Sequence, residues 1–138
     1  MIKKLVKAKE VSVAIENQVG VLARMMSFLA NHGINVETIA GHSDPSSDHG
    51  NLIFITDNNQ KTIAELIDNG YEDIEENDVI VIELEDRPGA LKNISEILAN
   101  YKINIDYLYC TTCSSGCPAK IVLATSDNDR AFDVLSAA

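Results

Sequence analysis

Basic side chains are scarce in this chain: 11 Lys and Arg stand against 21 Asp and Glu, a net charge of −10. No basic stripe offsets that excess, so nucleic acid and anionic membrane surfaces are both repelled and neither is expected as a partner. The charge is uneven. Residues 1–69 hold six Lys and Arg against eight Asp and Glu, whereas residues 70–138 hold five against thirteen. Long apolar runs are also missing, which excludes a membrane span, and Met1-Ile2-Lys3-Lys4-Leu5-Val6-Lys7 has none of the apolar stretch of a secretory signal. A cytoplasmic location is the expectation. Finally, the chain has no Walker loop, no nucleotide glycine fingerprint and no serine–histidine–acid set, and its three histidines all fall in the first half. Catalysis is not expected of it.

What the chain does have is a repeat. A shift of 69 positions lays it on itself: Gly20 meets Gly89, Leu22 meets Leu91, Leu29-Ala30-Asn31 meets Leu98-Ala99-Asn100, and Ile34-Asn35 meets Ile103-Asn104. The register persists to Thr56 with Thr125 and Leu66 with Leu135. Two copies of one small unit follow from this, because a fixed period identifies the structural unit before any single residue does. We place them at residues 1–76 and 77–138.

Each copy has the same internal order. Val11, Val13 and Ile15 alternate within Glu10 to Glu16, and Ile80, Ile82 and Leu84 within Asp78 to Glu85, the period of a half-buried strand. After a glycine turn, Val21, Leu22, Met25, Met26 and Leu29 recur at helical spacing, matched by Leu91, Ile94, Ile97 and Leu98. A strand pair follows over residues 34–40 and 51–56, repeated at 103–109 and 119–125. Asn58-Asn59 and Asp127-Asn128 then offer N-caps to a second helix. The order β-α-β-β-α-β is the split βαβ arrangement of ferredoxin-like folds, an α+β class. By this reading the second copy lacks its last strand, and either residues 2–7 or a strand from another chain fills the edge.

The chemistry concentrates at the glycine turn, where Asn17-Gln18-Val19-Gly20-Val21-Leu22 aligns with Asp86-Arg87-Pro88-Gly89-Ala90-Leu91. A helix N-terminus opening on a glycine is a receptor for a carboxylate, and Asn17 or Asp86 would accept from an ammonium. Such a pairing suits a zwitterion.

Together with Gly33-Ile34-Asn35-Val36 and Lys102-Ile103-Asn104-Ile105, the turn resembles the signature of the ACT domain family. That resemblance implies a paired regulatory module that binds a small amino acid, with Asn35 and Asn104 reaching in from a neighbouring unit. It also implies a homodimer and an amino-acid metabolic enzyme as partner. The implied ligand set is Asn17, Val19, Gly20, Val21, Leu22, Asn35, Asp86, Pro88, Gly89, Ala90, Leu91 and Asn104. The first half is similar, besides, to the regulatory small subunit of acetolactate synthase, through Glu16 to Leu22, Ala23-Arg24 and Gly33 to Glu37. A free-standing sensor and a subunit of an enzyme complex are both open readings.

A third reading comes from the hairpin loops. Cys110, Cys113 and Cys117 are all the cysteines of the chain, at a spacing compatible with zinc or part of an iron–sulfur ligand set, though one ligand short. Metal binding or a redox switch stands here against reduced thiols in an exposed loop. In the first copy Asp44 and Asp48 occupy the positions of Cys113 and Cys117, beside His42 and His49. No cofactor is otherwise required.

Overall fold

A computed structural model describes residues 1–138. The chain forms two compact units, one of Lys9–Asn77 and one of Asp78–Ala138 together with Met1–Ala8. We call them the first and second units. The boundaries differ from the 1–76 and 77–138 expectation, because the opening residues belong to the second unit.

The first unit takes residues 9–16 of β1 (Ile2–Glu16), then α1 (Val21–Asn31), β2 (Val36–Ser43), β3 (His49–Thr56), α2 (Asn59–Asp68) and residues 74–77 of β4 (Ile74–Leu84). Its strands lie in the order β2-β3-β1-β4. β3 is antiparallel to both neighbours, with Val11 opposite Phe54 and Val13 opposite Leu52, while Ala14 N–H donates to Asp73 O at 3.0 Å. Alternation decides the packing. Val11, Val13 and Ile15 share one face, and Val21, Met25 and Leu29 of α1 and Leu66 of α2 close over them and Phe54. Both helices therefore cover that face. Side chains as large as Met25, Phe54 and Leu66, all at 0% exposure, contribute roughly 1.5–3 kcal/mol each.

The second unit repeats this with α3 (Ala90–Asn100), β5 (Ile105–Thr111), β6 (Ala119–Thr125) and α4 (Asn128–Ser136) beside residues 78–84 of β4. Its order is β5-β6-β4-β1, so the fourth strand is residues 2–8 of β1. The N-terminal filler is thus the one the structure uses. Ile2 and Leu5 pack against Ile80, Ile82, Leu98 and Leu123, Met1 O accepts from Glu85 N–H, and Lys7 pairs with Asp129 at 2.9 Å.

Within each unit a half-buried asparagine ties the second helix to the first strand, which composition alone does not reveal. Asn58 and Asp127 cap α2 and α4, accepting from Lys61 and Arg130 N–H. Asn59 does something else: its Oδ1 accepts from the N–H and hydroxyl of Thr56, and its Nδ2 donates to Lys9 O at 2.8 Å. Asn128 repeats every bond with Thr125 and Asp78 O.

Candidate functional site

The two glycine turns have the same backbone. Gly20 and Gly89 are the N-caps of α1 and α3 at φ 89° and 86°, a left-handed conformation that an L side chain seldom adopts. Neither helix has a side-chain cap. A Cβ at Gly89 would meet nothing within 4 Å, and one at Gly20 only Arg24 Nη1 at 3.8 Å, so conformation rather than crowding demands glycine here. Glycine also leaves the approach to the helix open.

The turn spends part of the donor set. Val21 N–H donates to Gln18 O and Ala90 N–H to Arg87 O, both at 3.2 Å. These two donors are therefore occupied within the turn, and the adjacent pairs Leu22 with Ala23 and Leu91 with Lys92 have no such backbone bond. Two adjacent N–H groups at a helix start suffice for one carboxylate. A correction concerns Leu22 and Leu91, read as core residues from their spacing. They are 47% and 45% exposed, because Val21, Met25 and Leu29, or Ala90, Ile94 and Leu98, four apart, already fill the buried row. With the fully exposed Val19, Leu22 instead gives the first turn an apolar rim.

Asn17 and Asp86 stand exposed at the head of each turn, with Pro88 exposed in the second. The backbone N–H of Asn17 donates to Asp48 O, joining the turn to the tip of the β2–β3 hairpin. Asn35 and Asn104 lie elsewhere. Within a unit each follows the C-terminus of the helix whose N-terminus the turn begins, and an 11-residue helix measures about 16 Å. Their backbones are occupied: Asn35 N–H donates to Asp57 Oδ1 and Asn104 N–H to Ser126 Oγ, while both carbonyls accept from those residues' N–H. A single unit therefore does not bring Asn17 to Asn35, or Asp86 to Asn104.

Beside the first turn lies a cleft of about 590 Å³ lined by Glu16, Gln18, Val21, Arg24, His49 and Gly70 to Asp73. A volume of that size accommodates a small ligand. Gln18 Nε2 donates to Glu16 at 3.0 Å, and Arg87 Nε to Glu85 at 2.7 Å in the second copy. Only Gln18 and Val21 of this lining carried a signal in the turn motif. Tyr71 to Asp73 come from the connection after α2, where no periodicity marks them, and strand pairing alone brings them alongside.

In the second unit the Met1 ammonium lies 2.9 Å from Glu85, and the Met1 thioether accepts from Arg87 and Asn93. The ammonium and Arg87 hold the Glu85 carboxyl far below its usual range, at about 2.

The cysteines do not converge as a ligand set. The sulfurs of Cys113 and Cys117 lie against each other at the tip of the second hairpin, Cys110 is a separate exposed thiol, and no group of three or more His, Cys, Asp or Glu side chains is arranged to hold a metal ion.

Two ferredoxin-like α+β units, each with a glycine turn opening a helix, make up a tandem fold. The chain belongs to the ACT domain pair family, whose model matches residues 6–137. It is similar to protein BT0572 from Bacteroides thetaiotaomicron, at 27% identity and TM-score 0.87 over 96% of this chain and 89% of that one. The regulatory subunit of aspartate kinase from Thermus thermophilus, in ligand-free form, shares the fold at 16% identity and TM-score 0.69, over 99% and 97%. Aspartate kinase from Clostridium acetobutylicum does so at 20% identity and TM-score 0.56, over 98% of this chain and 34% of that one. No curated protein matches the sequence. None of these comparisons carries the likeness to the acetolactate synthase small subunit. No helix is long and apolar enough to cross a membrane.

Proposed function

We propose that this chain is a non-enzymatic, cytoplasmic regulatory protein that binds a small amino acid at its glycine turns and passes the occupancy to an amino-acid metabolic enzyme. The observation that carries this reading is the pair of left-handed glycine caps, each leaving two adjacent helix N–H groups open to a carboxylate beside an exposed Asn17 or Asp86 for the ammonium. Membership of the ACT domain pair family supports it. A relative whose name is the regulatory subunit of aspartate kinase supports the choice of partner class. A cage that also uses Asn35 or Asn104 takes it from a different copy of the unit, which a homodimer provides. Thermal denaturation across the amino acids tests the reading. A ligand present at 100 times its Kd adds about 2.7 kcal/mol of stability, and no amino acid raising Tm at millimolar concentration overturns it.

A further inference from the structure

At one of its two glycine turns the chain supplies an amine of its own. In the second unit the Met1 ammonium donates to Glu85 Oε1 at 2.9 Å, and Met1 O accepts from Glu85 N–H. The Met1 thioether accepts from Arg87 Nη2 in the turn and Asn93 Nδ2 on α3, at 3.5 and 3.2 Å. Arg87 Nε holds the other carboxylate oxygen, Oε2. A methionine is thus gripped at both ends, its ammonium by a glutamate just before the turn and its sulfur by two N–H donors just after.

The 69-residue register gives each of these partners a counterpart in the first unit: Glu16 for Glu85, Gln18 for Arg87 and Arg24 for Asn93. All three line the cleft of about 590 Å³ beside the first turn. The carboxylate is held in the same way, with Gln18 Nε2 on Glu16 Oε2 as Arg87 Nε is on Glu85 Oε2, and Glu16 Oε1 accepts no bond from the chain. What differs is the residue in the place of Met1. Gly70 stands there, and a Cβ on it would meet nothing within 4 Å, so the cleft is open where the second unit packs a side chain. Glu72 and Asp73 line the cleft too, but their counterparts are Lys3 and Lys4. Among the carboxylates of the cleft, the repeat therefore singles out Glu16.

We infer that Glu16 is the ammonium-binding residue of the first cleft, taking the amine of a free amino acid as Glu85 takes that of Met1. The inference rests on the reading of the glycine turns as amino-acid sites and names a contact within one of them. An ammonium carries three donors, so Glu16 Oε1 adds a charge-assisted bond to the one that Asn17 accepts. The ligand's carboxylate remains with the N–H groups of Leu22 and Ala23.

Titration of the full chain and of Glu16→Gln with each of the twenty L-amino acids, followed by NMR at the Leu22 and Ala23 amides, tests this. Glutamine keeps an oxygen for the Gln18 bond and removes the charge, and Glu16 is exposed, so the variant should melt with the unaltered chain. The amino acid that perturbs those amides should bind the variant roughly five- to twentyfold more weakly. Its des-amino counterpart should bind both proteins alike. Equal affinity of the two proteins for that amino acid, or a des-amino counterpart that loses as much as the amino acid does, overturns the Glu16 assignment and leaves the amino-acid site standing. First-turn amides indifferent to all twenty overturn the site and the assignment together.

Discussion

The two glycine turns are alike in backbone and unlike in surroundings. Both place a left-handed glycine before an 11-residue helix and both carry the same side-chain bond two residues apart, Gln18 to Glu16 or Arg87 to Glu85. The first turn is pinned to its hairpin through Asp48 O and faces a cleft of about 590 Å³. The second has no such bond, and the Met1 ammonium and thioether lie against Glu85, Arg87 and Asn93. A repeat therefore preserves the backbone of the turn, while the segments paired beside it differ between the copies. Val19 against Pro88 adds to the difference, since proline restricts the backbone before a ligand arrives.

Removing residues 1–7 should break the comparison most severely. It deletes most of the fourth strand of the second unit and the partly buried Ile2 and Leu5, a loss on the order of 1.5–3 kcal/mol from the two side chains alone. Amide exchange should show protection lost across β4, β6 and α4 and retained in α1 and β3. Equal loss in both units would contradict the strand assignment.

Gly20→Val and Gly89→Val come next. A β-branched residue held at positive φ costs about 1–3 kcal/mol, readable as a lower denaturant midpoint, and each variant should lose ligand at its own turn alone. Asn17→Ala and Asp86→Ala should weaken binding by about 1–3 kcal/mol where the turn is occupied. A calorimetric titration of each separates the two turns, and a des-amino analogue should bind less well than the amino acid.

The smallest effect distinguishes the turns by pH. Glu85 has its carboxyl lowered from 4.5 to about 2 by the Met1 ammonium and Arg87. The contact accordingly adds stability above the ordinary glutamate range and loses it as pH falls toward 2. An NMR titration should find that low midpoint, and Glu85→Gln should flatten the acid limb of the stability curve slightly, as expected of an exposed pair.

Much of this was legible in the sequence because periodicity and repetition are backbone properties. Val11, Val13 and Ile15 alternate and do face the helices, and the 69-residue register carries from Gly20 to Gly89 into matching φ values. Strand β1 was only partly legible. Burial at Ile2, Leu5 and Ala8 recurs every third residue, so alternation finds the strand only from Glu10 onward. The helical stripe overreached at Leu22 and Leu91 because spacing defines an angular sector and not its edge. Asn59 and Asn128 looked like caps, whereas their partners Lys9 and Asp78 are 50 residues away in sequence. The cleft was invisible for the same reason: Tyr71 meets Val21 and Arg24 only after β4 has paired with β1.

The most direct test of the central claim is isothermal calorimetry of the full chain against the amino acids, repeated on Gly20→Val and Gly89→Val. Saturable binding of at least one amino acid, with the sites divided between the two turns by the two variants, is the predicted result. No binding by any amino acid, or binding unchanged in both variants, would contradict it.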